Sequence, residues 1–284
     1  VALRLHDTLG PAAGGRDGGS GWDEVAEWYD RYLSGHRSDH YENTITPGVL
    51  RLLNAAPGER ILDVACGQGD LARHLAEQGC EAIGVDASER LVEIARERAG
   101  EAPAATPPRF LAGDARNLLE IPDLLPSAEG DAGAEHGRFD AITCVMSLMN
   151  IEPVAPVFEA AGRLLRPGGR FVFVILHPAF RAPGRTAWRW GEDARGRPVQ
   201  SRAVRGYLSP HRQEIVMNPG EAAAGAAPIT TETWTRPVSA YVNACAAAGL
   251  LVEAMEEWPS ARQSEPGPRA AAENEARAEI PMFL

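Results

Sequence analysis

The feature that most constrains this chain is a short apolar run that stops at two closely spaced glycines. Residues 61–65 (ILDVA) suit a strand buried inside a parallel sheet, because helices cover both faces of such a strand. Gly67 and Gly69 follow at once, and a helical pattern begins at Asp70. Glycines let the backbone turn sharply and leave room for a ligand against the main chain and the first N–H groups of the helix. The segment therefore predicts a strand, a ligand-binding turn and a helix of an α/β fold.

The acid inside this strand distinguishes between two classes of ligand. The glycine run fits the fingerprint of dinucleotide-binding proteins, with Ala72 in the third position. The charge of Asp63, just before the turn, would repel a pyrophosphate but would tolerate a ligand that carries a cation. The run from Asp63 to Gly69, DVACGQG, resembles the first motif of the class I S-adenosylmethionine-dependent methyltransferases, whose cofactor has no phosphate. The alternative is an ordinary α/β turn with an acid at its rim.

Two further acids follow the next two predicted strands. Asp86 ends the apolar segment that starts at Glu81, and it lies about 20 residues after the glycine turn, the spacing at which a carboxylate binds an adenosine ribose. Asp86 would also suit the start of the following helix. Asp114 follows the strand that starts at Arg109, and the family resemblance implies that it accepts a hydrogen bond from the adenine amine. Because ligands bind outside the carboxyl ends of parallel strands, we expect the three aspartates, Asp63 included, to face one crevice.

The resemblance covers nearly the whole chain from Trp22 onward and implies a Rossmann-like, doubly wound α/β fold. Its sheet would have seven strands, mostly parallel, with residues 280–284 as an antiparallel last strand between the fifth strand and a sixth at residues 250–256. Leading helices would precede the sheet, and a lid insertion that contains a hairpin would follow the fifth strand. The expected divisions are a flexible leader (1–21), N-terminal cap helices (22–58), the cofactor-binding core (59–177), the substrate lid (178–236) and the C-terminal part of the core sheet (237–284).

The resemblance also implies which residues contact the cofactor. The glycine turn would accommodate the methionine portion with Asp63 at that end, while Asp86 would bind the ribose and Asp114 the adenine. Tyr29, in a leading helix, would close the pocket, although an aromatic residue there equally suits packing of the helix onto the sheet. The full set of implied contacts is Asp63, Ala65, Gly67, Gly69, Asp86, Ala87, Asp114, Ala115, Cys144 and Tyr29.

Three residues are candidates for the side of the site that holds the methyl acceptor. His177 follows the fifth strand, where it would face the crevice, and a histidine can act as a general base at neutral pH. A histidine that hydrogen-bonds a loop carbonyl is an equally good interpretation. Asn150, after the fourth strand, would hydrogen-bond the acceptor, and Tyr207 in the lid would help to orient it. The aromatic residues of the lid suit either a flat aromatic acceptor or a small core of the lid itself.

Composition disfavours several other functions. Every one of the 28 basic residues is arginine, which excludes Schiff-base and lysine-base chemistry. A net charge of −11 disfavours nucleic acid as a partner. The four cysteines form no C-x-x-C pair, so they predict neither a metal site nor disulfides and suit a reducing cytoplasm. No apolar run has the length of a membrane span, and the amino terminus lacks a signal-peptide pattern. The sequence is compatible with a homodimer.

Together with these observations, the family resemblance implies a bacterial S-adenosylmethionine-dependent methyltransferase with a small-molecule substrate. The acceptor would be an oxygen, nitrogen or carbon atom of an aromatic or heterocyclic compound. The aromatic lid, together with the family's frequent use in secondary metabolism and antibiotic biosynthesis, favours a natural-product intermediate. One alternative is an NAD(P)-dependent oxidoreductase, which Asp63, Asp114 and the lack of a Tyr-x-x-x-Lys pair disfavour. The other is a non-catalytic protein that binds S-adenosylmethionine.

Overall fold

A computed structural model describes residues 22–23, 25–35, 40–100, 106–125 and 139–284 of the chain. The predicted leader, residues 1–21, lies outside the described residues. Among the described residues, no helix is long and apolar enough to cross a membrane. In chain order the helices and strands are α1 (Ala26–Gly35), α2 (Thr46–Leu53), β1 (Arg60–Val64), α3 (Asp70–Glu77), β2 (Glu81–Asp86), α4 (Glu89–Ala99), β3 (Arg109–Ala112), β4 (Phe139–Val145), α5 (Ala155–Leu164), β5 (Leu165–Val174), β6 (Thr186–Glu192), β7 (Pro198–Val204), β8 (His211–Val216), α6 (Pro219–Ala223), β9 (Thr230–Thr235), α7 (Val238–Ala247) and α8 (Ala270–Glu279).

The centre of the fold is a parallel sheet with the strand order β3-β2-β1-β4-β5. β1 pairs in parallel with β2 and β4, so that Asp63 lies opposite Gly84 on one side and Thr143 on the other. All residues of β1 except the first are buried, because helices cover both faces of the sheet. One face packs against α3 and α4, and the other packs against α5 and α7. This arrangement confirms the predicted Rossmann-like, doubly wound α/β fold.

The last strand of the predicted seven occurs only as isolated bridges among the described residues, whose central sheet has five strands. Phe283 forms one antiparallel bridge just beyond β5 and another to Trp258 on its other side, so the final segment has the predicted direction and position. Residues 250–256, in contrast, form no strand. In the register of the second bridge the next two pairs on one side contain Pro259 and Pro281, which donate no N–H, so the ladder does not extend in that direction.

Residues 178–236, the segment predicted to form a lid and called the lid below, contain two antiparallel hairpins. β8 pairs with β9, which confirms the predicted hairpin, whereas the hairpin of β6 and β7 was not predicted. The guanidinium carbons of Arg181 and Arg202 lie 5.1 and 4.9 Å from the centre of the Trp188 ring. Trp188 is therefore part of the packing within the lid rather than a wall of a ligand site.

The leading helices bring two tyrosines to the carboxyl end of the sheet. α1 begins at Ala26, a turn later than the predicted start at Trp22, and it lies beside α4, where Arg98 forms an ion pair with Asp30. A π-helical turn, Tyr41–Ile45, leads directly into α2. Tyr29 from α1 and Tyr41 from the π-helical turn both line the cavity described next.

Candidate functional site

A large cavity lies at the carboxyl ends of β1, β2, β3 and β4, with a volume of about 1780 Å³. Its walls come from the glycine turn, from the loops after β2, β3 and β4, from the leading helices and from the hairpin β8–β9. Pockets that bind drug-sized ligands have volumes of about 300–1,000 Å³. The cavity is therefore large enough to hold a cofactor and a second small molecule together.

The glycine turn has the backbone conformation that its sequence predicts. Ala65, Gly67 and Gly69 have φ angles of 55°, 55° and 80°, in the left-handed region that favours glycine. Gly69 directly precedes α3, whose N-terminus therefore opens onto the turn. The Gly67 N–H donates a hydrogen bond of 2.8 Å to Asp86 Oδ2, which holds the turn against the end of β2.

Alanine substitutions at the two glycines are expected to separate folding from ligand binding. A Cβ atom on Gly69 would lie 2.4 Å from Phe110 Cζ, so Gly69→Ala should lower the free energy of unfolding by about 2–4 kcal/mol through backbone strain and overpacking. A Cβ atom on Gly67 would meet nothing within 4 Å. Gly67→Ala should therefore cost only about 1 kcal/mol of strain, while its methyl group narrows the cavity. Urea unfolding measures both values, and equal losses of stability would contradict this account.

Asp63 is a buried acid on the cavity wall. It is 3% exposed, and Thr143 Oγ1 donates a hydrogen bond of 2.7 Å to its Oδ1. Burial raises the pKa of the Asp63 carboxyl to about 7, because the hydrogen bond from Thr143 offsets only part of the lost hydration. A cation bound beside Asp63 would favour the ionised carboxylate.

Asp86 is the second acid of the cavity wall. Its carboxylate accepts hydrogen bonds from the N–H groups of Gly67 and Ser88, at 2.8 and 2.9 Å. Burial raises the pKa of Asp86, and these two backbone donors oppose the rise. A carboxylate has about four lone-pair sites, so two acceptor positions remain for the hydroxyls of a ligand.

Asp114 is the third acid, and it is ion-paired. The Arg116 guanidinium donates to both carboxylate oxygens at 2.5–3.0 Å, and this interaction lowers the pKa of Asp114. Arg116 Nη1 also donates to the Glu152 carbonyl oxygen at 3.1 Å. The structure thus brings all three predicted aspartates to one cavity. An adenine amine would have to use an acceptor position of Asp114 that Arg116 leaves free.

The remaining residues predicted to contact the cofactor divide into two groups. Ala65, Ala87, Ala115 and Tyr29 line the cavity together with Gly67, whereas Gly69 lies behind the turn, against α4 and β3. The structure does not bring Cys144 to the cavity wall. Its side chain is fully buried in the hydrophobic core, where burial raises the pKa of the thiol.

His177 does not reach the cavity, contrary to the sequence-based hypothesis of a general base. It is 4% exposed, its Nε2 lies 2.6 Å from Glu257 Oε1, and its Nδ1 accepts a hydrogen bond of 3.2 Å from the Ala179 N–H. Because a carboxylate accepts, Nε2 carries the proton, and both ring nitrogens are engaged. His177 therefore ties the loop after β5 to a segment that lies 80 residues further along the chain.

Of the other two acceptor candidates, Asn150 lines the cavity and Tyr207 does not. Thr233 Oγ1 donates a hydrogen bond of 2.9 Å to Asn150 Oδ1, which leaves the amide NH₂ of Asn150 for another partner. The Tyr207 hydroxyl accepts a hydrogen bond of 2.9 Å from the Val238 N–H. Tyr207 thus connects the lid to the first residue of α7.

The hairpin β8–β9 supplies cavity residues that the sequence did not single out. His211, Trp234 and the ion pair of Arg212 with Glu232 line the cavity from the lid side. The hairpin itself was predictable from its strand-like pattern, but which end of it meets the cavity depends on how the lid folds back over the sheet. Within the described ranges, no group of three or more His, Cys, Asp or Glu side chains is arranged to hold a metal ion.

Comparisons with known proteins identify similar sequences and structures. The family described as "Methyltransferase domain" matches residues 37–208. The chain is 33% identical over 129 residues to a ubiquinone biosynthesis O-methyltransferase of Alkalilimnicola ehrlichii, an alignment that covers 45% of this chain and 46% of that protein. The protein of the same name from Methylococcus capsulatus is 30% identical over 143 residues, with 50% and 54% covered. The chain thus spans about half the length of these curated relatives.

Among solved structures, an S-adenosylmethionine-dependent methyltransferase from Mesorhizobium loti is similar over most of the fold. The TM-score is 0.58 at 28% sequence identity, and the superposition covers 84% of this chain and 94% of that one. The similarity therefore extends well beyond the glycine turn and the aspartates.

Proposed function

Because the chain belongs to the methyltransferase domain family, we propose that it transfers the methyl group of S-adenosylmethionine to a hydroxyl oxygen of a small aromatic molecule. The observation that carries this proposal is that a single cavity is lined by the glycine turn, by the three aspartates and by Trp234 of the hairpin β8–β9. Oxygen is proposed as the acceptor atom because the curated relatives are named O-methyltransferases. Those names give no support to the narrower prediction of a natural-product intermediate in antibiotic biosynthesis.

The residues of the cavity fit S-adenosylmethionine better than they fit a dinucleotide. Asp63 accepts one hydrogen bond, from Thr143, and forms no ion pair in the described part of the chain; burial raises the pKa of its carboxyl to about 7, and a bound ammonium group would stabilise its ionised form. Asp86 has two open acceptor positions, which suit the two hydroxyls of a ribose. The Gly67 N–H, a donor that a pyrophosphate would need, is already bound to the Asp86 carboxylate. A phosphate placed there would meet both the Asp63 and the Asp86 carboxyl groups.

Holding the acceptor in place is the main task left to this chain. S-adenosylmethionine supplies a methyl group on a positively charged sulphur that leaves as a neutral thioether, so alignment in a cavity without bulk water provides most of the acceleration. Trp234, Met146 and Ile151 line the cavity near the loop after β4 and the lid, and they suit an aromatic ring. Asn150, whose amide orientation is set by Thr233, would donate a hydrogen bond to the acceptor.

Calorimetry and turnover assays together test this proposal. We expect S-adenosylmethionine and S-adenosylhomocysteine to bind at about micromolar concentration or below and NAD not to bind. Release of S-adenosylhomocysteine is then measured with catechol, aniline and cyclohexanol as acceptors, and turnover is expected with catechol. Binding of NAD without binding of either adenosyl compound would favour the alternative hypothesis, an NAD(P)-dependent oxidoreductase. Tight binding of S-adenosylmethionine without turnover of any hydroxyl acceptor would favour the non-catalytic alternative.

A further inference from the structure

His211 lies on the lid side of the cavity, among the residues that suit the acceptor. It is the first residue of β8 and is paired with Thr235 of β9, which also lines the cavity. The residue is half-buried and is one of the residues that line the cavity. This position differs from that of His177, which lies outside the cavity with both ring nitrogens engaged.

The hydrogen bonds around His211 define which ring nitrogen carries a proton. His211 Nε2 lies 3.3 Å from Gln213 Oε1. The amide of Gln213 is itself oriented, because its Nε2 donates a hydrogen bond of 3.2 Å to the Glu214 carbonyl oxygen. The Gln213 oxygen can only accept, so His211 Nε2 is the donor and His211 Nδ1 carries the lone pair. Within the described part of the chain, Nδ1 has no hydrogen-bond partner.

Several other titratable groups of the cavity are hydrogen-bonded, ion-paired or located at the end that fits the cofactor. Asp63 is bound to Thr143 beside the glycine turn. His74 is exposed on α3, the helix that follows the turn, at the end that fits the cofactor. The charged side chains that line the cavity with His211 on the lid side form two ion pairs, Glu152 with Arg236 and Glu232 with Arg212.

We propose that His211 is the general base for the acceptor hydroxyl and that Gln213 is the positioning residue that holds its tautomer, an inference that rests on the proposed function. The hydroxyl proton passes to His211 Nδ1, and an electron pair of the hydroxyl oxygen forms the new bond to the methyl carbon. The electron pair of the broken C–S bond stays on sulphur. The imidazolium then returns its proton to solvent. The acceptor class is thus a phenol or catechol whose hydroxyl is neutral in solution at neutral pH.

Binding of 4-nitrocatechol tests this assignment without turnover, because the absorption spectrum of this compound reports whether its hydroxyl is ionised. It is added to the protein saturated with S-adenosylhomocysteine, at about one pH unit below the pKa of the free compound. We expect the wild-type protein to bind it as the phenolate, with the proton on His211, and His211→Gln to bind it as the neutral phenol. Glu214→Gln, which removes a titratable group from the same strand outside the cavity, should behave as wild type.

Turnover with two acceptors gives a second readout. His211→Gln should lower kcat about 10²- to 10⁴-fold with catechol, whose proton must be removed, but less than about tenfold with 4-nitrocatechol at a pH at which it is already ionised. The affinity for S-adenosylhomocysteine should stay unchanged, which shows that the variant is folded. Equal losses with both acceptors would indicate a structural role and overturn the proposal.

Three further outcomes are decisive. If the wild-type protein binds 4-nitrocatechol as the neutral phenol or does not bind it, His211 is not the base for a phenolic acceptor. If wild type transfers methyl groups and His211→Gln does so equally well, the inference about His211 fails and the proposed function stands. If wild type transfers a methyl group to no hydroxyl acceptor, both fail.

Discussion

Asp86→Asn is expected to lower the affinity for S-adenosylhomocysteine by about 10²- to 10³-fold. Hydrogen bonds to a charged group contribute about 1.5–3 kcal/mol each, and the Asp86 carboxylate has two acceptor positions open for ribose hydroxyls. An amide has one oxygen and an NH₂ group, so it cannot accept from Gly67, Ser88 and two hydroxyls together. The loss should be one of the largest of any single substitution in the cavity. Isothermal titration calorimetry measures it directly.

The control for this substitution is Asp123→Asn. Asp123 is an exposed acid that pairs with Arg109 and does not line the cavity, so the same chemical change there should leave the affinity unaltered. Thermal unfolding of both variants shows whether the fold is retained. An Asp86→Asn protein that is folded and binds S-adenosylhomocysteine with wild-type affinity would contradict the assignment of Asp86 to the ribose.

The parallel core and its three aspartates could be predicted because the signals for them are local. Each of the strands β1, β2 and β3 is a short apolar segment, and its acid lies in the strand or within two residues of its end. The geometry of parallel strands then places Asp63, Asp86 and Asp114 at one edge of the sheet. Local sequence also predicts the left-handed turn at Gly67 and Gly69, because few other residues adopt that backbone conformation.

The acceptor side could not be predicted, because long-range contacts decide it. His177 follows its strand as a catalytic histidine would, yet Glu257 engages it from 80 residues away. Asn150 is oriented by Thr233, which lies 83 residues further along the chain. No local pattern shows that a long insertion returns to the cavity with His211 at its wall. The local pattern of residues 250–256 likewise predicted a strand, but a strand also needs a neighbouring strand to pair with, and this segment forms none.

The ionised form of the buried Asp63 carboxyl favours binding of a cationic ligand but lowers the stability of the folded protein. A carboxyl whose pKa is raised from 3.8 to about 7 binds its proton more tightly in the folded protein than in the unfolded chain. The protonated Asp63 carboxyl therefore adds to the free energy of unfolding. This stabilisation is complete at low pH and is lost as the pH rises through about 7. Above that pH the folded protein holds a buried charge that only a bound cation would compensate.

Asp63→Asn should therefore increase stability while it weakens cofactor binding. Above about pH 7.5 the variant should gain on the order of 2–4 kcal/mol in the free energy of unfolding without ligand, and near pH 4 it should gain little. Its affinity for S-adenosylmethionine should fall at least about tenfold at high pH, because the proposed partner of the ammonium group is lost. In the wild-type protein that affinity should rise with pH up to about 7 and then level off, and in Asp63→Asn this rise should be absent.

Glu59→Gln provides a control in which the expected change in stability at neutral pH has the opposite sign. The hydrogen bond from Arg170 lowers the pKa of Glu59, whose carboxylate precedes β1 and does not line the cavity. Its contribution to stability is present above its usual pKa and is lost as the pH falls, so Glu59→Gln should destabilise the protein at neutral pH and leave the affinity for S-adenosylmethionine unchanged. Urea unfolding and calorimetry of both variants across the pH range provide the comparison. If Asp63→Asn loses stability at high pH, or if it keeps wild-type affinity there, Asp63 does not hold the cationic end of the cofactor.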